Sequence, residues 1–459
     1  MKSITCILVS FIICAWVQAQ ENVNRPNVLL LMTDEHSPYA LGCYGNEIIQ
    51  TPNLDALAQE GITYTSAYCQ NPICVPSRVS LLVGRMATDV KVFGNSDKLN
   101  ADTYTMADAF AAAGYTVEWV GKEHWLTNGR ELGFGDLNAR AQKEERKRCD
   151  EAKLFRKEIG RLPNAAAVAP YDKKNSTDYV HTEYAVKFLK EQSRSSKPFF
   201  LGVSLRRPHF PFEVQQEYFD LYKGKLTRNP EVTQAMLNDL CVSSQKERTK
   251  YKFSALTDAQ IQKAREMYYG MVSYVDEMLG MVLDELDKQG LRENTIILYT
   301  SDHGELLGEH GLWYKNSFYE GSVRVPFIWS YPRALPKGRA IDAHVMNMDI
   351  FPTLREMCNL AAPDNFDGSS LLSLMQGNED GKDRIAISEN YRGNTGAFMV
   401  RKGGWKYCWY ENSTAQFYNL TEDPNEGHNL IDEPRYSNLV KELHAIVMEN
   451  YIEKPRAKK

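Results

Sequence analysis

Five largely apolar runs, at residues 28–32, 116–120, 198–205, 295–301 and 326–330, stand out from the polar background of the chain. None alternates strictly between apolar and polar, so each predicts a strand buried on both faces rather than one with a wet side. Between them the period lengthens to that of a helix, at residues 54–59, 106–113, 179–190 and 261–289. Strand and helix in alternation predict an α/β fold, with a mostly parallel sheet sandwiched by helices. Two strongly charged stretches, 139–176 and 226–252, carry no clear period and read as irregular surface insertions. Beyond about residue 374 the pattern changes. Short runs at 384–388, 397–402, 405–409 and 416–420, joined by Gly-bearing turns, predict a small antiparallel sheet closed by a helix over 436–451. The chain therefore divides into a main domain over 20–375 and a C-terminal subdomain over 376–459.

The first 19 residues read as a secretory signal peptide. Lys2 supplies the charge, residues 4–17 the apolar stretch, and Val17-Gln18-Ala19 a small-residue cleavage site. No later stretch reaches the ~18 apolar residues a span needs, so no integral membrane segment is expected after cleavage. Export to the periplasm or the extracellular space follows. A net charge of −5 gives no field that would recruit nucleic acid, so an anionic substrate would have to be held by local cations. Nine cysteines are present, two of them in the leader, and the other seven show no CxxC spacing. They are too sparse for a disulfide scaffold, although one or two bridges remain open.

Candidate chemistry gathers just after the predicted strands, where open α/β sheets bind ligands. Asp34 and Glu35 follow the first run; Asp302 and His303 follow the fourth. Carboxylates bunched at strand ends repel, and a divalent cation relieves the repulsion; oxygen-rich ligation favours Ca²⁺ or Mg²⁺ over zinc. Either pair alone reads as a solvated loop or a helix cap rather than as a metal site. Lys122 and His124, two apart on an extended segment, should face one side. In Arg206-Arg207-Pro208-His209-Phe210-Pro211 two prolines should hold the chain extended and present His209 to a cleft. An imidazole there suits proton donation. One of Arg206 and Arg207 is expected to bind a second anion, unless both are solvated surface. The most informative segment is Cys74-Val75-Pro76-Ser77-Arg78 followed by Val79 to Arg85. Pro76 suits a first helical turn, which places Cys74 just before an anion-favouring helix N-terminus with Arg78 one turn on. A lone cysteine in this position would read as a buried structural residue.

Taken together, the segment 74–85, Lys122-Glu123-His124, the Pro-His-x-Pro loop and the run Ser301 to Lys315 resemble the type I, formylglycine-dependent sulfatases of the alkaline-phosphatase-like superfamily. Phe417-Tyr418-Asn419-Leu420 with Asp423-Pro424 resembles their C-terminal subdomain. The resemblance implies that fold, and hydrolysis of sulfate monoesters. It implies that Cys74 is oxidised to formylglycine (3-oxoalanine) by a dedicated maturation enzyme and attacks sulfur as its hydrate. Asp34, Glu35, Cys74, Asp302 and His303 would hold Ca²⁺, with Mg²⁺ the alternative. Arg78, Lys122 and Lys315 would bind sulfate oxygens, His124 would assist sulfate expulsion, and His209 would protonate the leaving alcohol. A sulfated small molecule or glycan is the expected substrate. Glu309 and His310 are expected as scaffold or subsite residues, and Tyr319, Glu320, Arg324 and Pro326 as structure. Two departures from the family pattern are Val83, where Thr is usual, and Glu35, where Asp or Gln is common. Two other readings are a phosphonate or phosphate monoesterase on the same fold and a non-catalytic secreted glycan-binding protein.

Overall fold

The computed structural model describes residues 25–226, 228–392 and 395–451; the expected leader lies outside them. Nine strands belong to the main body: β1 (Asn27–Asp34), β2 (Ile62–Tyr68), β3 (Thr116–Gly121), β4 (Ala167–Val168), β5 (Phe199–Pro208), β6 (Glu213–Val214), β7 (Thr295–Ser301), β8 (Phe327–Ser330) and β9 (Arg339–Met346). Seven form one sheet in the order β3-β5-β1-β7-β8-β2-β9, and β4 pairs with β6. All pairings in the large sheet are parallel except those of β8, which runs against both β7 and β2. β1 is buried along its whole length. Its side chains alternate between two apolar cores: Val28, Leu30 and Met32 enter one, Leu29 and Leu31 the other. A run that is apolar at every position thus serves both faces of a covered sheet.

Helices predicted from the period lie where expected, at Pro52–Gln59, Met106–Ala112, Thr177–Gln192 and Asp258–Lys288. The last begins at a reciprocal cap between Thr257 and Gln260 and packs its apolar face into the second core. Four strands went unpredicted: the two-residue pair β4 and β6, and β2 and β9 of the large sheet. β2 carries Thr65 and Ser66, whose hydroxyls each donate to Asp342 of the edge strand β9 at 2.8 Å, so polar side chains stitch this margin and blur the apolar signal.

The stretch 139–176 is not irregular. It folds mainly as the helices Leu137–Arg148 and Asp150–Ile159. The buried face of the first is Leu137, Asn138, Ala141 and Glu145, with Glu145 beside His181 at 3.2 Å and Lys153 at 3.3 Å. A helix that buries an amide and a carboxylate leaves no apolar period to read. Likewise 226–252 contains the helices Gln234–Asn238 and Val242–Lys250.

The C-terminal part is an antiparallel sheet of β10 (Ile385–Arg392), β11 (Thr395–Lys402), β12 (Trp405–Tyr410) and β13 (Gln416–Asn419), backed by the helix Ser437–Asn450. Trp405 stacks on Phe417 with ring centroids 5.0 Å apart. Buried polar groups bolt this sheet to the main body. Lys406 reaches Glu320 at 2.9 Å and Glu426 at 2.7 Å, Arg401 donates to the Tyr68 hydroxyl at 2.9 Å, and Glu389 accepts from the Thr88 hydroxyl at 2.9 Å. All seven described cysteines are free, which closes the disulfide option. Among the described residues no helix is long and apolar enough to cross a membrane.

Candidate active site

Four neighbouring parallel strands, β3, β5, β1 and β7, end on the same side of the sheet. At those ends or just past them lie Lys122, His209, Asp34 with Glu35, and Asp302 with His303. Gly121 closes β3 at φ +103°, and a Cβ there would lie 1.9 Å from the Ser204 carbonyl oxygen. Only glycine lets β3 end this tightly against β5 and release Lys122 into the cleft. The helix Cys74–Val83 aims its N-terminus at the same place and is buried on every side. Asn95 accepts from the Val75 N–H at 2.9 Å, and Gly84 in the left-handed conformation ends the helix. Cys74 thus occupies the first turn rather than the position before it.

Arg78 anchors the site. Its Nε donates to Asp302 Oδ2 at 2.7 Å, and its Nη1 donates to Ser204 Oγ at 2.8 Å and the Lys122 carbonyl at 2.9 Å. Nη2 is buried without a partner. Lys122 donates to Asp34 Oδ2. Cys74 Sγ lies 3.2 Å from His303 Nε2 and 3.8 Å from Asp34 Oδ1. One donor atom from each of Asp34, Cys74, Asp302 and His303 falls within 4.8 Å of the others, and all four residues are buried. The Glu35 side chain turns to the cleft's other cations: Oε2 accepts from Lys315 Nζ at 3.0 Å and lies 3.3 Å from His209 Nε2, while Oε1 is buried without a partner.

The backbone differs from the extended one expected around the two histidines. His124 has φ +62°, so the chain turns between Lys122 and His124, and the imidazole still hydrogen-bonds the Cys74 thiol. Arg207-Pro208 and Phe210-Pro211 are both cis. His209 Nδ1 lies 2.6 Å from the Phe210 carbonyl oxygen, which leaves Nε2 facing the cleft.

The electrostatics follow from charge packed out of water. Burial alone would raise the Cys74 thiol, but Lys122, Lys315 and His303, with the hydrogen bond from His124, hold it well below its ordinary value. Asp34, although buried, is held low by Lys122 and His209. Burial raises Asp302 against the pull of Arg78, and raises Glu35 against that of Lys315. Burial lowers His209 to about 4, and Lys315 pushes the same way. Lys315 itself stays charged because Cys74 and Glu35 outweigh its desolvation. The two buried carboxylates Asp34 and Asp302, with His303 and Cys74 within reach of the same point, fit a divalent cation.

Sequence reading missed several members of this site. Asn95 caps the Cys74 helix from a loop, Ser204 orients Arg78, and Arg156, Lys157 and Arg161 reach the cleft from 139–176. Each depends on tertiary contact and leaves no local pattern. The two adjacent arginines separate: Arg207 is buried between Asp178 (3.0 Å) and Glu213 (2.6 Å), and Arg206 lines the cleft. Glu309 and His310 lie off it, with His310 stacked on Tyr319 at 3.7 Å between ring centroids.

A mostly parallel sheet with buried carboxylates, a cysteine at a helix N-terminus and lysines at one end is the arrangement expected from the resemblance to ester hydrolases of the alkaline-phosphatase-like superfamily. Comparison narrows it. Residues 26–359 match the sulfatase family, and residues 308–453 match the C-terminal region of N-sulphoglucosamine sulphohydrolase. The chain belongs to the sulfatase family, enzymes of the sulfuric ester hydrolase class. It is 30% identical over 460 residues to an arylsulfatase of Clostridium perfringens, covering 93% of this chain and 94% of that protein. It is also 30% identical over 445 residues to an ulvan-active sulfatase of Formosa agariphila, covering 94% of this chain and 81% of that protein. Among solved structures, the phosphonate monoester hydrolase of Agrobacterium radiobacter superimposes with a TM-score of 0.79 at 23% identity, covering 93% of this chain and 95% of that one.

Proposed function

We propose that this protein is an exported enzyme that hydrolyses sulfate monoesters on saccharides, with Cys74 matured to formylglycine and Ca²⁺ held by Asp34, Asp302, His303, residue 74 and Glu35. The observation that carries this reading is the setting of Cys74: a helix N-terminus ringed by Lys122, Lys315, His124 and His303, opposite a buried carboxylate set. Formylglycine at this position supplies, as its hydrate, one hydroxyl to attack sulfur and a second through which the sulfate is released. The cation adds charge neutralisation beside the sulfate.

The chain's own groups supply the rest. Arg78, through its unpartnered Nη2, and Lys122 and Lys315 hold the sulfate oxygens as negative charge builds on them. Lys315 and His209 share Glu35 Oε2, which fixes both at the leaving-group side. His209 is kept neutral by burial and Lys315; an anionic ester against it favours protonation, and Nε2 then gives that proton to the departing alcohol oxygen. His124, hydrogen-bonded to residue 74, would take the proton that the remaining hydroxyl of formylglycine gives up as the sulfate leaves. The leader at 1–19 supports export, and the relative that acts on ulvan supports a saccharide substrate.

Peptide mass spectrometry of the segment holding residue 74 tests the reading. The aldehyde form should be present, and its fraction should track specific activity across preparations. Sustained turnover by protein whose Cys74 is entirely thiol would overturn it. The structural likeness to a phosphonate monoester hydrolase supports a second reading, cleavage of phosphonate monoesters in the same cleft. Matched sulfate and phosphonate esters of one alcohol separate the two, with kcat/KM higher for the sulfate under the first.

A further inference from the structure

The cleft above Cys74 encloses about 1110 Å³ and holds more positive charge than one sulfate needs. Its Lys and Arg residues are Lys122, Arg156, Lys157, Arg161, Arg206 and Lys315, against Asp34 and Glu123 as the acidic ones. Three of these cations are already matched: Lys122 by Asp34, Lys315 by Glu35, and Arg156 by Glu213 at 2.6 Å. Among the described residues, Lys157, Arg161 and Arg206 have no carboxylate within ion-pairing distance, and all three are exposed. Arg206 lies near enough to Glu145 to depress its carboxyl, yet Glu145 pairs with His181 and Lys153 instead.

Their placement is specific. Arg206 comes from the end of β5, immediately before the buried Arg207, and the alternation of the strand turns it outward while Arg207 goes in. Arg161 is tied to the leaving-group side. Its guanidinium carbon lies 5.9 Å from the centre of the Phe210 ring, and Lys315 Nζ lies 5.0 Å from the same ring. The Phe210 ring also packs on His209, with centroids 4.0 Å apart. The Arg161 carbonyl accepts from the Tyr314 hydroxyl, next to Lys315 in sequence. Arg161 therefore stands beside the two groups assigned to the departing oxygen. Guanidinium forks left free there match a carboxylate or sulfate in a two-pronged contact.

We propose that Arg161 and Arg206, with the exposed Lys157 of the same cleft, form a second anion subsite that selects saccharides carrying a further carboxylate or sulfate on the sugar released. The inference rests on the sulfatase reading for which sugar this is, but the subsite can be tested without turnover.

Cys74→Ala protein, supplied with Ca²⁺, is titrated calorimetrically with N-acetylglucosamine 6-sulfate, with glucosamine 2-N,6-O-disulfate, and with a monosulfated disaccharide containing a uronate. Either doubly charged ligand should bind more tightly than the singly charged one, by roughly 5–20-fold, and the stronger of the two identifies sulfate or carboxylate as the second group. Adding Arg161→Gln and Arg206→Gln together should remove that preference. Arg161→Lys with Arg206→Lys should recover part of it, which a purely structural role would not give. In the active enzyme the same Gln pair should raise KM for the doubly charged ligands more than it lowers kcat. Equal affinity for singly and doubly charged ligands, or a preference that survives the Gln pair in folded protein, overturns the subsite. Failure of the sulfatase reading itself would show separately, as no sulfate released from any ester by the fully modified enzyme.

Discussion

Two clusters of buried charge sit on the same molecule and behave in opposite ways. At the joint between the large sheet and the C-terminal sheet, Lys406 is fully buried and satisfied by Glu320 and Glu426, with Arg401 and Tyr68 completing the set. Burial works against the charge on Lys406, but the two carboxylates outweigh it, so the amine stays protonated. The charges answer one another inside the cluster, Glu426 Oε1 through its ion pair with Lys406 at 2.7 Å rather than a hydrogen bond. Around Cys74 the density of charge is similar but the accounts stay open. Arg78 Nη2, Glu35 Oε1 and His124 Nδ1 are buried without partners, and the cations face a cleft. A closed set fixes one packing of two sheets, whereas an open one is arranged for something that arrives later.

The sharpest break in that comparison is at residue 74. Cys74→Ala should cost on the order of 10⁶ in kcat, because the nucleophile is gone, while the protein stays folded. Thermal unfolding and sulfate release measured on the same sample check both halves. Next comes His209→Ala, expected to slow unactivated sugar sulfates by roughly 10²–10⁴-fold and aryl sulfates with good leaving groups far less. Equal losses on the two substrates would reassign His209 to positioning.

The closed cluster should respond in stability instead. Lys406→Ala leaves two buried carboxylates facing one another and should destabilise by about 3–5 kcal/mol, read by urea unfolding, with kcat of the folded fraction little changed. Lys406→Met with Glu320→Gln and Glu426→Gln should recover much of that loss, since no charge is then stranded.

The smallest effect is a slope with pH. Glu389, held by Thr88 at the same joint, has its carboxyl raised to about 8, chiefly by burial. A raised folded-state value means the native protein binds the proton more tightly than the unfolded chain. Its contribution is therefore complete below about pH 4.5, the ordinary glutamate value, and is lost as pH rises through about 8. Glu389→Gln should flatten the fall in melting temperature between those limits, by a few degrees at most. An unchanged slope would move the pH dependence elsewhere.

How much of this was legible in the chain follows from the same distinction. β1 and β7 announce themselves because a strand covered on both faces is largely apolar, and the residues at or just past their ends, Asp34 and Asp302, could be named from position alone. The segment at Cys74 was legible because its residues act within one helical turn. β2 was not, since its hydroxyls face an aspartate across the sheet. The helix Leu137–Arg148 was not either, because it buries Glu145 against a histidine 36 positions further along, and no window on the sequence contains both. Arg161 became visible as a candidate only when the fold laid it against Phe210.

The single reversed strand of the large sheet, β8, has a consequence of its own. β7 ends at the catalytic edge, and because β8 runs antiparallel beside it, the chain re-enters the sheet from that same edge. The intervening excursion, residues 302–326, never crosses to the far side. It delivers Asp302, His303, Glu305 and Lys315 in one sweep, clamped at both feet to neighbouring strands. In a parallel crossover the same residues would have been divided by a helix and the thickness of the protein. Here one buried segment carries the metal ligands and the leaving-group lysine together, so a change in its length would disturb both at once.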